Sequence, residues 1–321
     1  MRHGNLTLQV FLGRATYPPP QLPPWKIDRT TFSLTAMDFK HCDILIVGVG
    51  LIGGSFALAL REKGHVGRLL GVEANPDHAQ RALQRGLVDE VVSLEEGIRR
   101  AALVALAVPV DTLPALAVKV LNVVSEKQVV MDMGSTKEEL CEMISHHTNR
   151  GRFVATHPMW GTEYSGPDAA VQGAFTGRNV VLCESHKSDS DALALVEEIY
   201  GALGMPVVRM EAEEHDLHTA YVSHISHITS FALALTVLEK EREEQHIFDL
   251  AGGGFESTVR LAKSSARTWV PILMRNKYNV LDVLREHIHQ LQVMRKQIER
   301  DDADGLRESI ERANSIQKII K

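Results

Sequence analysis

From Asp43 onward, short uninterrupted apolar runs alternate with longer amphipathic stretches. The runs are DILIVG (43–48), RLLGVEA (68–74), ALVALAVP (102–109), QVVMDMG (128–134), FVATHP (153–158), NVVLCES (179–185) and MPVVRM (205–210). Runs of this length, rich in Val and Leu, suit strands buried on both faces. Between them, helices are predicted up to about Lys63, over NPDHAQRALQRG (75–86) and over DSDALALVEEIYGALG (189–204). Pro76 near the start and Gly86 at the stop punctuate the second of these. The runs at 102–109 and 128–134 are each followed by a helical stretch as well. Strands alternating with helices predict an α/β, doubly wound, mostly parallel sheet.

After about Met210 the strand pattern ends. Leu217, Tyr221, His224, Ile228, Phe231, Leu235 and Leu238 recur at three- and four-residue spacing, an apolar stripe along one long helix over 212–241. AGGGF (251–255) interrupts the chain. Further helices are predicted to about Ala266, from Thr268 to Arg300, and from Asp302 to the end. The chain thus divides into an α/β domain over 38–210 and an all-helical domain over 211–321. Long apolar stripes in so small a domain predict burial against a second subunit, a homodimer. Residues 1–37, which hold PPPQLPP (18–24), read as a disordered extension with no catalytic role.

Composition removes several classes. With 321 residues, 44% hydrophobic and 24% charged, the chain is ordinary for a globular protein with two cores. The net charge of −6 argues against nucleic acid as the main partner. No apolar run is read as approaching the roughly 20 residues of a membrane span, so no membrane partner is expected. Cys42, Cys141 and Cys183 are widely spaced with no CxxC, and read as buried reduced thiols of a cytoplasmic chain. Of 15 histidines, His215, His218, His224 and His227 fall on one helix. No HExxH or Glu-x-x-His pair accompanies them, and no metal is expected.

GVGLIGG (48–54) places glycines at 48, 50 and 53, between a predicted strand and a predicted helix. Gly48 permits the tight turn, Gly50 lets backbone approach a pyrophosphate, and Gly53 lets helix and strand pack closely. Leu51 and Ile52 open the helix, whose free N–H groups and dipole favour phosphate. Glu73 ends the second strand, 20 residues after Gly53, where a carboxylate can accept from the adenosine ribose hydroxyls. That acid favours NAD over NADP. A glycine turn that only packs is the plain alternative.

Ligands bind beyond the carboxyl ends of such strands. AVP (107–109) with Pro109, DMGS (132–135) with Ser135, and THPMWGTE (156–163) all lie there. Oxidation of an alcohol by NAD⁺ needs a proton acceptor, and His157 is the candidate by position, with a structural histidine as the alternative. Ser135 either bonds the same hydroxyl or caps a helix from Thr136, since Glu138 follows at capping-box spacing. Arg260, Lys263 and Arg267 fall at i, i+3 and i+7 on one helix face, and Arg260 can grip a carboxylate bidentately. Ser223 and His227 are one turn apart and share a face. Trp160 reads either as packing beneath its loop or as lining the pocket.

At these residues the sequence resembles the prephenate/arogenate dehydrogenase family of tyrosine biosynthesis. The resemblance covers residues 42 to 300 and rests on GVGLIGGS, DMGSTK (132–137), ATHPMWGTEYSG (155–166), VSHISH (222–227), GGGFESTVRLAKS (252–264) and Trp269, in order. It implies a Rossmann-type domain followed by a helical dimerisation domain, with intertwined partners. It implies NAD-dependent oxidative decarboxylation of a cyclohexadienol, in which aromatisation drives loss of CO₂. By the same resemblance, His157 accepts the ring hydroxyl proton while Ser135 holds that hydroxyl and orients His157. Arg260 binds the ring carboxylate, and Glu163 is a gating or network residue paired with a cation. Ser223 and His227 line the substrate or nicotinamide region, and Trp269 lies near the entrance. Some members carry a basic residue after the Phe of GGGF; Glu256 stands there in this chain. Prephenate is the favoured substrate, with arogenate, which carries an ammonium, as the alternative. A related 3-hydroxy acid dehydrogenase would use a lysine proton carrier, which the Ser135, His157 and Arg260 set argues against. A non-catalytic NAD-sensing module would bind nucleotide without turnover.

Overall fold

The computed structural model describes residues 39–319, so the expected extension over 1–37 lies outside the described residues. One sheet organises the first two thirds of it. Its strands are β1 (Ile44–Val47), β2 (Leu69–Val72), β3 (Glu90–Val91), β4 (Leu103–Leu106), β5 (Val129–Asp132), β6 (Phe153–Pro158), β7 (Val180–Cys183) and β8 (Val207–Met210). They lie in the order β3-β2-β1-β4-β5-β6-β7-β8. All neighbours are parallel except β6 and β7. Helices α1 (Leu51–Glu62), α2 (Pro76–Gln84), α3 (Leu94–Arg100), α4 (Leu113–Leu121), α5 (Glu138–Ile144) and α6 (Ser190–Ala202) accompany these strands.

The sheet is doubly wound because its strands are apolar on both faces. In β1, Ile44 and Ile46 join Phe56, Leu60 and Tyr200 on one side. Leu45 and Val47 join Ile98, Leu113 and Ile144 on the other. Alternate side chains point to opposite faces of a strand, so one four-residue run feeds both cores. Burying each such side chain contributes roughly 1.5–3 kcal/mol. Two details escaped the sequence pattern. β3 is only two residues long and half-buried, too short for a periodic signal. Between β6 and β7 the only regular element is the 3₁₀ turn Pro167–Ala169, so without a crossover helix the strands pair antiparallel.

The remaining helices are α7 (Ala212–Thr219), α8 (Ile225–Glu243), α9 (Gly253–Val259), α10 (Ala266–Arg275), α11 (Lys277–Glu299) and α12 (Ala303–Asn314). A π-turn over Ala220–His224 joins α7 to α8. Such turns insert a residue and shift the register of a stripe. His224 is consequently buried, while Leu217, Tyr221, Leu235 and Leu238 stay 40–58% exposed. No charged residue lies between Tyr221 and Leu238. The helical run Ala212–Glu243 therefore holds an 18-residue stretch, of mean hydropathy 1.3, that is long and apolar enough, by length and composition only, to cross a membrane. This corrects the sequence expectation that no apolar run approaches the length of a span.

Two further expectations change. The helix expected over 268–300 is split at Asn276, whose buried side chain is engaged by other parts of the fold. Arg260, Lys263 and Arg267 do not share one helix face. α9 ends at Val259, Arg260–Lys263 form a 3₁₀ turn, and α10 begins afresh after Ser265. Cys141 and Cys183 are buried, but Cys42 is only partly so.

Candidate active site

The glycine turn fits a dinucleotide. Gly48 has φ +90°, a conformation that favours glycine, and a Cβ there would meet Ala107 O at 2.5 Å. A Cβ on Gly53 would collide with the carbonyl oxygen of Gly48, so helix and turn pack as closely as backbone allows. Around Gly50 the space is open, and it caps α1 with no side-chain hydrogen bond. The first N–H groups of α1, from Leu51 and Ile52, are thus left for a ligand's phosphates. Glu73 follows β2 directly. Its carboxylate accepts from Val49 N and Asn75 N, both at 3.1 Å, which holds it against the turn with lone pairs to spare for ribose hydroxyls.

Pro109 lies exposed beyond β4 and Ser135 half-buried beyond β5, at the carboxyl edge of the sheet. Ser135 is not a helix cap, because α5 starts only at Glu138. The cap comes from α7: Asp216 accepts from Lys137 N at 2.8 Å and from Glu138 N at 3.0 Å. No hydrogen bond joins Ser135 to His157. The partner of His157 is instead His215, whose Nε2 lies 2.8 Å from His157 Nδ1. His215 Nδ1 in turn sits 2.7 Å from Asp216 Oδ1. His215 and Asp216 were missed in the sequence, where His215 was one histidine among many. Their signal was the adjacent His-Asp pair opening a helix after the last strand.

Electrostatics keep His157 neutral. Burial, then the neighbouring His215, Lys137 and His224, hold its pKa well below the usual 6.5. Burial likewise lowers His215, partly offset by Asp216, and lowers His224 to about 4. Lys137 is fully buried and ion-paired with Asp132, whose carboxylate also accepts from Gly134 N and Thr156 N.

Arg260, which follows α9, pairs with Glu163, which follows β6, at 2.9 Å. The guanidinium is 51% exposed and the carboxylate 13%. Glu163 titrates below its usual range, first through its own backbone N–H and then through Arg260 and Lys263, against desolvation. His227 lies parallel to Trp269, with ring centroids 3.3 Å apart. His224 meets the same indole edge-on at 5.9 Å. His227 Nδ1 donates to Ser223 O at 3.1 Å, so the Ser223–His227 pairing runs through backbone, and the Ser223 hydroxyl has no partner among the described residues. Trp160 is half-buried and packs against the core, edge-on to Phe175. Among the described residues, no three His, Cys, Asp or Glu side chains are grouped to hold a metal.

Comparison with known proteins now bears on this site. Residues 56–209 match the family model "Prephenate dehydrogenase, nucleotide-binding domain" and residues 211–312 match "Prephenate dehydrogenase, dimerization domain". The chain belongs to the prephenate dehydrogenase family. It is 33% identical to the prephenate dehydrogenase of Bacillus subtilis over 82% of this chain and 72% of the relative. The prephenate dehydrogenase of Aquifex aeolicus, solved with hydroxyphenyl propionate and NAD⁺, shares 32% identity with a TM-score of 0.78, covering 87% of this chain and 98% of that one. The Synechocystis arogenate dehydrogenase shares 25% identity with a TM-score of 0.67, covering 87% and 100%. As in its family, the chain is an NAD-dependent oxidoreductase with a Rossmann-type domain.

The buried histidines imply a pH dependence. His157, His215 and His224 titrate below 6.5 when folded but near 6.5 when unfolded. As pH falls below 6.5, the unfolded chain binds protons first, so the stability held above 6.5 is lost progressively toward pH 4. The shift of His224 to about 4 alone corresponds to about 3 kcal/mol. Urea unfolding should show a midpoint that declines across this window, less steeply in His224→Gln. A flat midpoint in the wild type contradicts the assignment.

Proposed function

We propose that the chain converts prephenate to 4-hydroxyphenylpyruvate and CO₂ with His157 as proton acceptor. The observation that carries this reading is the state of His157. It is a neutral imidazole at the carboxyl edge of the sheet, with Nδ1 engaged by His215 and Nε2 without a partner among the described residues. Such a nitrogen suits a general base. NAD⁺, when bound, supplies the hydride acceptor. His157 takes the hydroxyl proton as the ring carbon becomes a carbonyl. Departure of the ring carboxylate as CO₂ leaves its electron pair in the ring, and His157 returns the proton to the resulting phenol oxygen. The lowered pKa keeps the ring unprotonated before the reaction and lets the imidazolium give its proton back readily. The balance closes with no net proton.

The other expected residues take supporting roles in this proposal. Arg260 is exposed enough to exchange Glu163 for the ring carboxylate, with Glu163 as the internal partner that holds it between turnovers. Ser135 bonds the ring hydroxyl. Ser223, His227 and Trp269 line the substrate region, where the stacked indole restricts His227. Gly48, Gly50, Leu51, Ile52, Gly53, Glu73, Pro109 and Ser135 hold NAD⁺. Arogenate is the second reading. Glu256 is exposed on α9, four residues before Arg260, where a carboxylate suits an ammonium. The exposed stripe of Leu217, Tyr221, Leu235 and Leu238 supports pairing of two copies through the dimerisation domain.

NADH formation should follow addition of NAD⁺ and prephenate, read by absorbance, with arogenate in parallel. His157→Asn should lower kcat roughly 10²–10⁴-fold with NAD⁺ binding retained. No turnover with either substrate sinks the functional assignment, and a near-normal kcat sinks the role of His157. Arg260→Gln should mainly raise KM, since it removes ground-state anion binding; an unchanged KM makes Arg260 a surface cation. Light scattering should return about twice 35.6 kDa, and a monomeric mass excludes the pairing.

A further inference from the structure

We infer that His215 and Asp216 form a positioning pair that sets the tautomer of His157 and makes the base depend on how α7 seats against the sheet. The inference rests on His157 being the base proposed above and names what makes it one. Asp216 is buried and accepts three hydrogen bonds, from Lys137 N, Glu138 N and His215 Nδ1. An ionised carboxylate has no proton to donate. The hydrogen between Asp216 Oδ1 and His215 therefore belongs to His215 Nδ1. His215 is kept neutral by burial and so has no second proton, which leaves its Nε2 an acceptor. At 2.8 Å from that nitrogen, His157 must carry its own proton on Nδ1. Its Nε2 is left with a lone pair and no partner among the described residues.

The reverse assignment fails on the same distances. A proton on His215 Nε2 would leave His215 Nδ1 bare, facing a carboxylate oxygen at 2.7 Å, two acceptors in contact. The remaining groups acting on His157 do not change the sequence of donors. Lys137 is committed to Asp132. His224 Nδ1 accepts from Asn276 Nδ2, which also donates to Asp216 O. Asn276 Oδ1 accepts from Asn279, which fixes the orientation of that amide.

The pair also links two parts of the molecule. His157 stands on β6, whereas His215 and Asp216 stand on α7, the first helix after the last strand. Asp216 reaches back to cap α5, which follows the Ser135 segment. Movement of α7 away from α5 would break the cap and release His157 from its tautomer together. Acting through His157 rather than on substrate, His215 and Asp216 are positioning residues.

The test uses the full chain. Histidine labelled with ¹⁵N reports the tautomer directly, and the His157 signals are those absent from His157→Asn. In the wild type His157 should be protonated on Nδ1 and bare on Nε2. His215→Leu removes the acceptor and should let the Nε2-protonated form grow. It should lower kcat roughly 10²–10⁴-fold, the scale of a mis-set or lost base, with KM and NAD⁺ affinity within about threefold. His215→Gln restores an acceptor and should recover at least about tenfold of that loss. A wild-type His157 protonated on Nε2 overturns the inference, and so does a His215→Leu kcat within threefold of wild type. If His215→Leu does not fold, the wild-type spectrum decides alone. If the wild type turns over neither substrate, the proposed function falls, while the spectrum still judges the pair.

Discussion

The hydrogen bonds received by the Asp216 carboxylate organise the candidate site. It is a helix cap in sequence-distant form: the acceptor for the first N–H groups of α5 comes from α7, 78 residues later for Glu138. A cap borrowed from another element costs nothing extra in hydrogen bonds, yet it fixes two elements relative to each other. The bond to His215 then extends that constraint to the sheet. A buried carboxylate without such donors would carry a large desolvation cost. Here the cap donors and the imidazole offset it, and the same charge dictates where protons sit.

A second buried charge, Lys137 against Asp132, acts one step further back. Backbone pairing between β5 and β6 stops at Met131 and Val154. Beyond it the Asp132 side chain takes over, accepting from Thr156 N. Lys137 compensates that carboxylate and bonds Thr136 O as well. Removing either partner would leave an uncompensated buried charge, a loss of about 3–5 kcal/mol. The pair therefore holds the end of β6, the segment that presents His157. Its ammonium also helps keep His157 and His215 neutral.

Much of this was legible in the sequence, for physical reasons. Strands buried on both faces must be apolar runs, and a turn with no room for Cβ at Gly48 and Gly53 must be glycine at both, so the sheet and those two positions announced themselves, with Gly50 marked by its spacing between them. Glu73 and the segments at 107–109, 132–135 and 156–163 followed from strand ends alone. What was hidden depends on three-dimensional proximity. Ser135 was one candidate for the cap of α5 because capping boxes are local, whereas Asp216 supplies it from afar. The family resemblance gave Ser135 as the orienter of His157, whereas the hydrogen bond to His157 comes from His215. The π-turn at Ala220–His224 defeated periodicity itself, since one inserted residue turns His224 inward and leaves Leu235 and Leu238 outward.

That inserted residue connects the exposed stripe to the chemistry. Without it, α7 and α8 would continue as one regular helix and His224 would keep the phase of the exposed stripe. With it, α7 keeps the phase that aims His215 and Asp216 at the sheet, while α8 presents a stripe 49–58% exposed at Leu238 and Leu235. His224, at the end of the π-turn, is clamped by Asn276, the residue at which α10 and α11 part. Asn276 also holds Asp216 O, so the junction of the later helices and the pair hydrogen-bonded to His157 share one side chain. Whatever covers the outer stripe therefore bears, through one helical run, on the segment that sets the proton positions at His157.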